Sequence, residues 1–293
     1  MSVKNITYIL LGGDGYFGRN FKEYLKDEKC NIIVIDKKLN YNLNYPVPYE
    51  LFQDACSDVV YIINFAAISF VDYSIIHPEE TITNNFNCCV NGYNFYQNIK
   101  ANKKIYIYIS TDEVRVKKDV KHLSPYVKSK LMCEDYLKNL NDNNVKIMRP
   151  VNLMSMVSSK KELLQQNNCI LKIVSDCIKY NKEFYIHGKG TQKRMFMPMS
   201  KACELLKILC ENKEKTILDV ADIEYRKLGY RTSNISISNL IYYLNYVYKF
   251  NVKEIDDPRG IYQDNDYFND SEVVNKNDYK IFIDCVEKNL SVN

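Results

Sequence analysis

Along the first half of the chain the apolar residues come in short, unbroken runs. These are ITYILL (6–11), NIIVID (31–36), VVYIINFAA (59–67), KIYIYIST (104–111) and VKIMRP (145–150). A continuous apolar run fits a strand covered on both faces, as in a parallel sheet; a strand with one wet face would alternate. Between the runs, FGRNFKEYLKD, the region around GYNFYQNIKAN and SPYVKSKLMCEDYLKNL (124–140) space their apolar residues as helices do. Strands alternating with helices predict right-handed crossovers and an α/β fold built on a doubly wound parallel sheet.

After Pro150 the regularity falls away. KELLQQNNCILKIVSDCIKYN reads as one or two helices, and FYIHGKGTQKRMFMPMSKACELLKILCE as strand, glycine turn, strand and helix. TILDVAD reads as one more strand. The expected organisation is a sheet region over 1–150 and a smaller cap over 151–293, with some segments of the cap returning to the sheet.

The 293 residues suffice for a sizeable core. A net charge of +4, with acids interspersed among the bases, gives no footprint for nucleic acid. No apolar stretch reaches membrane length, and the N-terminal run is too short for a secretory signal. These features predict a cytoplasmic protein with neither a nucleic-acid nor a membrane partner. Ten cysteines form no CxxC pair, and with His77, His122 and His187 they show no zinc-like spacing. They read as small buried hydrophobes in a reducing compartment, and no metal is expected.

Two motifs carry chemistry. Gly12, Gly15 and Gly18 stand between the first strand and the first helix. Glycine there lets the backbone turn tightly and approach a pyrophosphate, which the free N–H groups of a helix N-terminus attract. Asp36 closes the second strand, about twenty residues further on, where an acid accepts hydrogen bonds from an adenosine ribose. Lys37 and Lys38 follow it and could meet a 2′-phosphate, so NAD and NADP both stay open, with NAD favoured. In the second motif, Tyr126 and Lys130 share one helix face four residues apart. A nearby ammonium favours tyrosinate and so suits the pair to acid/base work. Just before them, STDEV places the acids Asp112 and Glu113 at the tip of the fourth strand.

In the order GGDGYFG, VID, NFAAISFVDYSI, ISTDEV, SPYVKSK, RPVNL, HGKGTQKRMF and DDPRG, the chain resembles the extended short-chain dehydrogenase/reductases, and among them the nucleotide-sugar 4,6-dehydratases. The resemblance implies a Rossmann-type sheet with a C-terminal substrate-binding cap. It implies a tightly held NAD or NADP contacted by Gly12, Gly15, Tyr16, Phe17, Gly18, Asp36, Lys37, Phe65, Ala66, Ala67, Tyr126 and Lys130, a UDP-sugar substrate and a homodimer. It also implies roles. Tyr126 takes the C4 hydroxyl proton while hydride leaves C4, and Thr111 holds the C4 oxygen. Glu113 removes the C5 proton, and Asp112 protonates the departing C6 hydroxyl. Asn152, Arg194 and Arg259 match positions that contact the sugar diphosphate or the nucleoside.

Several positions depart from that pattern. Leu11 replaces a threonine before the glycines, Val114-Arg115 replaces Val-Tyr-Gly, and NLMS replaces NxYG. The loop between the acids and Tyr126 is short, as in the inverting UDP-N-acetylglucosamine dehydratases, which carry Lys where Glu113 stands. The short loop favours UDP-N-acetylglucosamine over UDP-glucose or dTDP-glucose and is compatible with C5 inversion. A 4-epimerase or 4-ketoreductase, needing only Thr111, Tyr126 and Lys130, is the rival enzyme reading. A non-catalytic dinucleotide-binding redox sensor is the rival outside enzymes.

Overall fold

The computed structural model describes residues 5–54, 58–115, 123–154, 169–212, 216–220, 222–231, 234–256 and 276–292. In chain order the first half holds β1 (Ile6–Leu11), α1 (Tyr16–Tyr24), β2 (Asn31–Ile35), α2 (Glu50–Gln53), β3 (Val59–Asn64), α3 (Val71–Ile76), α4 (Pro78–Asn98), β4 (Lys103–Ile109), α5 (Pro125–Asn139) and β5 (Val145–Arg149). The second half holds β6 (Asn152–Met154), α6 (Ile170–Tyr180), β7 (Phe184–His187), β8 (Lys193–Arg194), β9 (Phe196–Pro198) and α7 (Met199–Glu211). It continues with β10 (Ile217–Asp219), α8 (Ile223–Lys227), β11 (Ile235–Ser236), α9 (Ile237–Tyr248), β12 (Val252–Ile255) and α10 (Lys276–Ser291).

The chain divides into two compact units. The first comprises 1–114, 123–149 and 203–219, and the second 115–122, 150–202 and 220–293. In the first unit six parallel strands run in the order β10-β5-β4-β3-β1-β2. Every strand predicted from an apolar run before residue 150 is present; β3 is buried throughout, β1, β4 and β5 nearly so, and β2, at the sheet edge, is half-buried. Ile9, Leu10, Leu11, Ile62, Ile63 and Ile107 have no solvent exposure. The fold is the Rossmann-like doubly wound α/β class. Since all six strands point one way, their C-terminal ends share one edge. The order reverses at β1, with β2 on one side and β3 on the other, and that is where such sheets open a ligand crevice.

Burial in this unit carries its own corrections for polar groups. Lys146, inside β5, turns its ammonium to the carbonyls of Leu209 and Asn212 and so closes the C-terminal end of α7. Lys104 does the same for α4, donating to Tyr96, Gln97 and Ile99. A cation placed on the last carbonyls of a helix satisfies acceptors and complements the helix dipole. Glu134 of α5 is wholly buried and accepts hydrogen bonds from Arg149 and Lys138, while Arg149 also reaches Asp219 at 3.3 Å. Burial raises the Glu134 carboxyl, but these donors outweigh it and hold the group below its ordinary value.

The second unit contains three two-stranded pairs, β6 with β9, β7 with β12, and β8 with β11. The first two are parallel and the third antiparallel. Its core joins Leu171 and Val174 of α6, Leu240, Ile241 and Leu244 of α9, and Phe282 and Val286 of α10. The described cysteines are free thiols, and all but Cys30 and Cys169 are buried. Among the described residues no helix is long and apolar enough to cross a membrane, and no cluster of three metal-binding side chains occurs.

Candidate active site

The glycine turn after β1 is shaped by close approach. Gly12 has φ +69°, and a Cβ there would lie 2.6 Å from the Ala66 backbone. A Cβ on Gly18, in the first turns of α1, would lie 2.6 Å from Gly13 Cα. Gly15 is the N-cap of α1, and around its missing Cβ only the Gly12 carbonyl lies within 4 Å. The chain therefore turns from β1 into α1 with backbone packed on backbone, leaving open space before the free N–H groups of the helix. A turn of this shape suits a pyrophosphate. Phe17 packs edge-on against Phe65, which hydrogen-bonds back to β1 through its N–H on the Leu11 carbonyl at 2.8 Å. Tyr16 is partly buried beside them.

Asp36 does not extend β2. It is buried and caps a short 3-10 turn over Lys37–Leu39, accepting from the Lys38 N–H at 3.0 Å. Its other carboxylate oxygen accepts from the Asp14 N–H in the glycine turn, also at 3.0 Å. The acid is thus fixed against the turn that would hold the pyrophosphate. Lys37 and Lys38 are exposed.

Two buried asparagines hold the segment after β3. Asn64 donates to the Cys88 carbonyl and the Tyr106 hydroxyl, and accepts from the Ala66 N–H. Ala66 is thereby set beside Gly12, and Ala67 follows it. Asn85 of α4 accepts from the Ile68 N–H at 2.7 Å, and donates to the Ile68 carbonyl at 3.0 Å and to Ser129 Oγ at 2.8 Å. Sequence reasoning did not single out Asn85. It stands in a run of polar residues, and only its complete burial and its grip on a distant backbone mark it.

Beyond β4, Thr111 leads into a 3-10 turn over Asp112–Arg115. Thr111 and Asp112 are buried, and Glu113 partly so. Ser124 caps α5 through the Val127 N–H, with Pro125 in the first turn, which fixes where Tyr126 starts its face. Thr111, Asp112, Glu113 and Tyr126 form one group. Burial pushes the Tyr126 phenol above its ordinary value, the Glu113 and Asp112 carboxylates push it further, and a hydrogen bond from Thr111 opposes them. Lys130 is buried, donates to the Ile109 carbonyl at 2.7 Å and lies 4.7 Å from the centre of the Tyr108 ring. Burial lowers its affinity for a proton. The spacing of Tyr126 and Lys130 led us to expect a phenol whose proton is loosened by an ammonium. In the structure, burial and the two carboxylates raise the phenol, with the Thr111 hydrogen bond opposing them.

In the second unit Asn152 opens β6, and its side chain donates to the Met195 carbonyl at 3.0 Å. Arg194, partly buried in β8, therefore stands one residue from the atom that Asn152 holds, and its own Nη1 donates to the Lys193 carbonyl. Arg259 lies outside the described residues.

These features match a known family. A family model described as the NAD dependent epimerase/dehydratase family matches residues 8–221, and the chain belongs to that family. Its nicotinamide cofactor fits the glycine cradle and the buried Asp36 described above. Solved structures share the fold across nearly the full length. A UDP-N-acetylglucosamine 4-epimerase from Methanobrevibacter ruminantium M1, in complex with UDP-N-acetylmuramic acid, is 20% identical with a TM-score of 0.72, and 99% of each chain is covered. An NAD-dependent NDP-hexosamine 5,6-dehydratase involved in tunicamycin biosynthesis is 15% identical with a TM-score of 0.75, again over 99% of each chain. The ADP-L-glycero-D-manno-heptose-6-epimerase of Helicobacter pylori is 15% identical with a TM-score of 0.71, over 99% of this chain and 97% of that one. No curated protein sequence matches the chain.

Proposed function

We propose that this protein removes water across C5 and C6 of a UDP-sugar, a 4,6-dehydration giving a 4-keto-6-deoxy sugar nucleotide. The observation that carries the reading is that Asp112 and Glu113 act on the same phenol as Thr111. An epimerase or ketoreductase needs the Thr and Tyr but has no use for two carboxylates beside them.

When bound, the oxidised dinucleotide supplies an acceptor for the hydride of sugar C4, a positive ring charge, and the return of that hydride at C6. Gly12, Gly15 and Gly18 give its pyrophosphate room, and Asp36 accepts from its adenosine ribose. Tyr126, whose phenol is raised, is favoured as tyrosinate by that positive ring charge, and its Oη then receives the C4 hydroxyl proton, with Thr111 Oγ1 on the same oxygen. The ketone at C4 makes the C5 proton acidic. The Glu113 carboxylate takes that proton, and Asp112, as the acid, protonates the C6 hydroxyl so that it leaves as water. Glu113, whose carboxyl exchanges with solvent, then returns a proton to C5 as hydride arrives at C6. One acid and one base side by side require different surroundings. Asp112 is the more buried of the two.

Asn152, Arg194 and Arg259 are proposed to hold the sugar diphosphate, for which the planar guanidinium is suited. The short connection from the acids to Tyr126 favours UDP-N-acetylglucosamine. The UDP-N-acetylglucosamine 4-epimerase among the similar structures supports that substrate class. The test is incubation of the full chain with UDP-N-acetylglucosamine in deuterium oxide, followed by mass spectrometry. The wild type should yield a product lighter by one water and carrying deuterium at C5. Glu113→Gln should lose both water release and C5 exchange, and Asp112→Asn should slow water release while exchange persists. A C4 epimer with no water lost, unaffected by either substitution, would sink the proposal.

A further inference from the structure

We infer that Asp14 is a specificity-determining residue that turns the site away from NADP and towards NAD. The inference rests on the family's nicotinamide cofactor and not on the dehydration reading.

Asp14 lies inside the glycine turn, and nothing in the proposed reaction uses it. Its carboxylate lies between two cations: Arg19 Nε is 3.2 Å from Oδ1, and Lys38 Nζ is 3.4 Å from Oδ2. The same two side chains also donate to its carbonyl, at 2.7 Å and 3.2 Å. Its N–H holds Oδ2 of Asp36, whose other oxygen accepts from the Lys38 N–H. Arg19 and Lys38 lie at the corner that Asp14 and Asp36 share, and both are turned onto Asp14.

The consequence is electrostatic. A ribose 2′-hydroxyl adds no charge to this corner. A 2′-phosphate adds about two negative charges beside Asp36, where the carboxylates of Asp14 and Asp36 together already balance Arg19 and Lys38. Asn in place of Asp14 keeps the backbone donor to Asp36 and the carbonyl acceptor for both cations. It removes only the charge and frees both cations for the phosphate. Removing a unit charge a few ångströms from both cations should change relative affinity by about tenfold.

The experiment loads the full-length protein from an equimolar mixture of NAD and NADP, washes it, denatures it and separates the released dinucleotides by chromatography. Wild type should release mainly NAD. Asp14→Asn should raise the NADP to NAD ratio about tenfold at low salt, and less at high salt because exposed charges are screened. Adding Lys38→Gln and Arg19→Gln to Asp14→Asn should cancel the gain. An unchanged or lowered ratio in Asp14→Asn, a gain that survives loss of both cations, or a wild type loaded mainly with NADP would each overturn the inference. If circular dichroism shows Asp14→Asn unfolded, Lys38→Gln alone decides: it must lower the ratio further, and an unchanged or higher ratio refutes the role. Wild-type protein that takes up neither dinucleotide would overturn the cofactor reading as well, an outcome distinct from an unchanged ratio.

Discussion

The side-chain amide of Asn85 donates to the hydroxyl of Ser129 across 2.8 Å, and that hydroxyl in turn donates a hydrogen bond to the Tyr126 carbonyl at 2.7 Å. Asn85 also closes both hydrogen bonds of the Ile68 backbone. One buried side chain on α4 therefore fixes both the segment after β3 and the first turn of α5. We expect Asn85→Ala to cost about 2 kcal/mol in urea unfolding, because it leaves buried donors and acceptors unpaired. As a positioning residue it should lower kcat more than it raises KM. The discriminating measurement is a double-mutant cycle with Ser129→Ala. Coupling should exceed about 0.5 kcal/mol, and strictly additive costs would remove the link.

Tyr126 should titrate above the ordinary phenol value of about 10, since burial and two carboxylates oppose its ionisation. Labelling tyrosine at Cζ and assigning the resonance by its loss in Tyr126→Phe gives the titration directly by NMR. Glu113→Gln removes a repelling charge, so the phenol should ionise at lower pH. Thr111→Val removes the opposing hydrogen bond, so it should ionise at higher pH. Shifts in the reverse sense would show that the acids do not face the phenol.

The depressed Glu134 carboxyl ties stability to acid. A carboxyl whose folded value lies below its unfolded value of about 4.3 adds stability that is present above that unfolded value and is lost as pH falls through the folded one. Glu134→Gln should cost about 3 kcal/mol at pH 7, because Arg149 and Lys138 lose their buried partner. The gap between wild type and variant should shrink as pH falls below about 4. Denaturant midpoints across that range check it, and a gap independent of pH would exclude an ionised Glu134.

The sheet was legible because two-sided burial writes itself into sequence as unbroken apolar runs, and those runs are β1, β2, β3, β4 and β5. Their ends were less so: Asp36 reads as strand but turns away to cap its own loop, since its oxygens find N–H donors at Asp14 and Lys38. Of α4 only the C-terminal half showed, because its first turns bear polar side chains, Asn85 among them, that pack inward. The strands β6 and β11 are too brief for any periodicity to register, and the single strand read after the glycine turn divides into β8 and β9. At the site, spacing alone put Tyr126 and Lys130 on one helix. It could not show that the Lys130 ammonium would settle on the Ile109 carbonyl, nor that charge and burial at Tyr126 would favour the protonated phenol.

Strand β10 has a consequence for how the protein is made. It borders β5 in the sheet, yet a ribosome reaches it only after β6 through α7 have been synthesised. A nascent chain ending at Arg149 exposes the backbone edge of β5, lacks Asp219 for Arg149, and lacks the Leu209 and Asn212 carbonyls for Lys146. An open edge with an unneutralised buried lysine behind it resists pairing with other chains, since charge set into an edge strand blunts aggregation. The lysine that later closes α7 would thus act first as a guard on an unfinished sheet, and order of translation differs from order of completion in this fold.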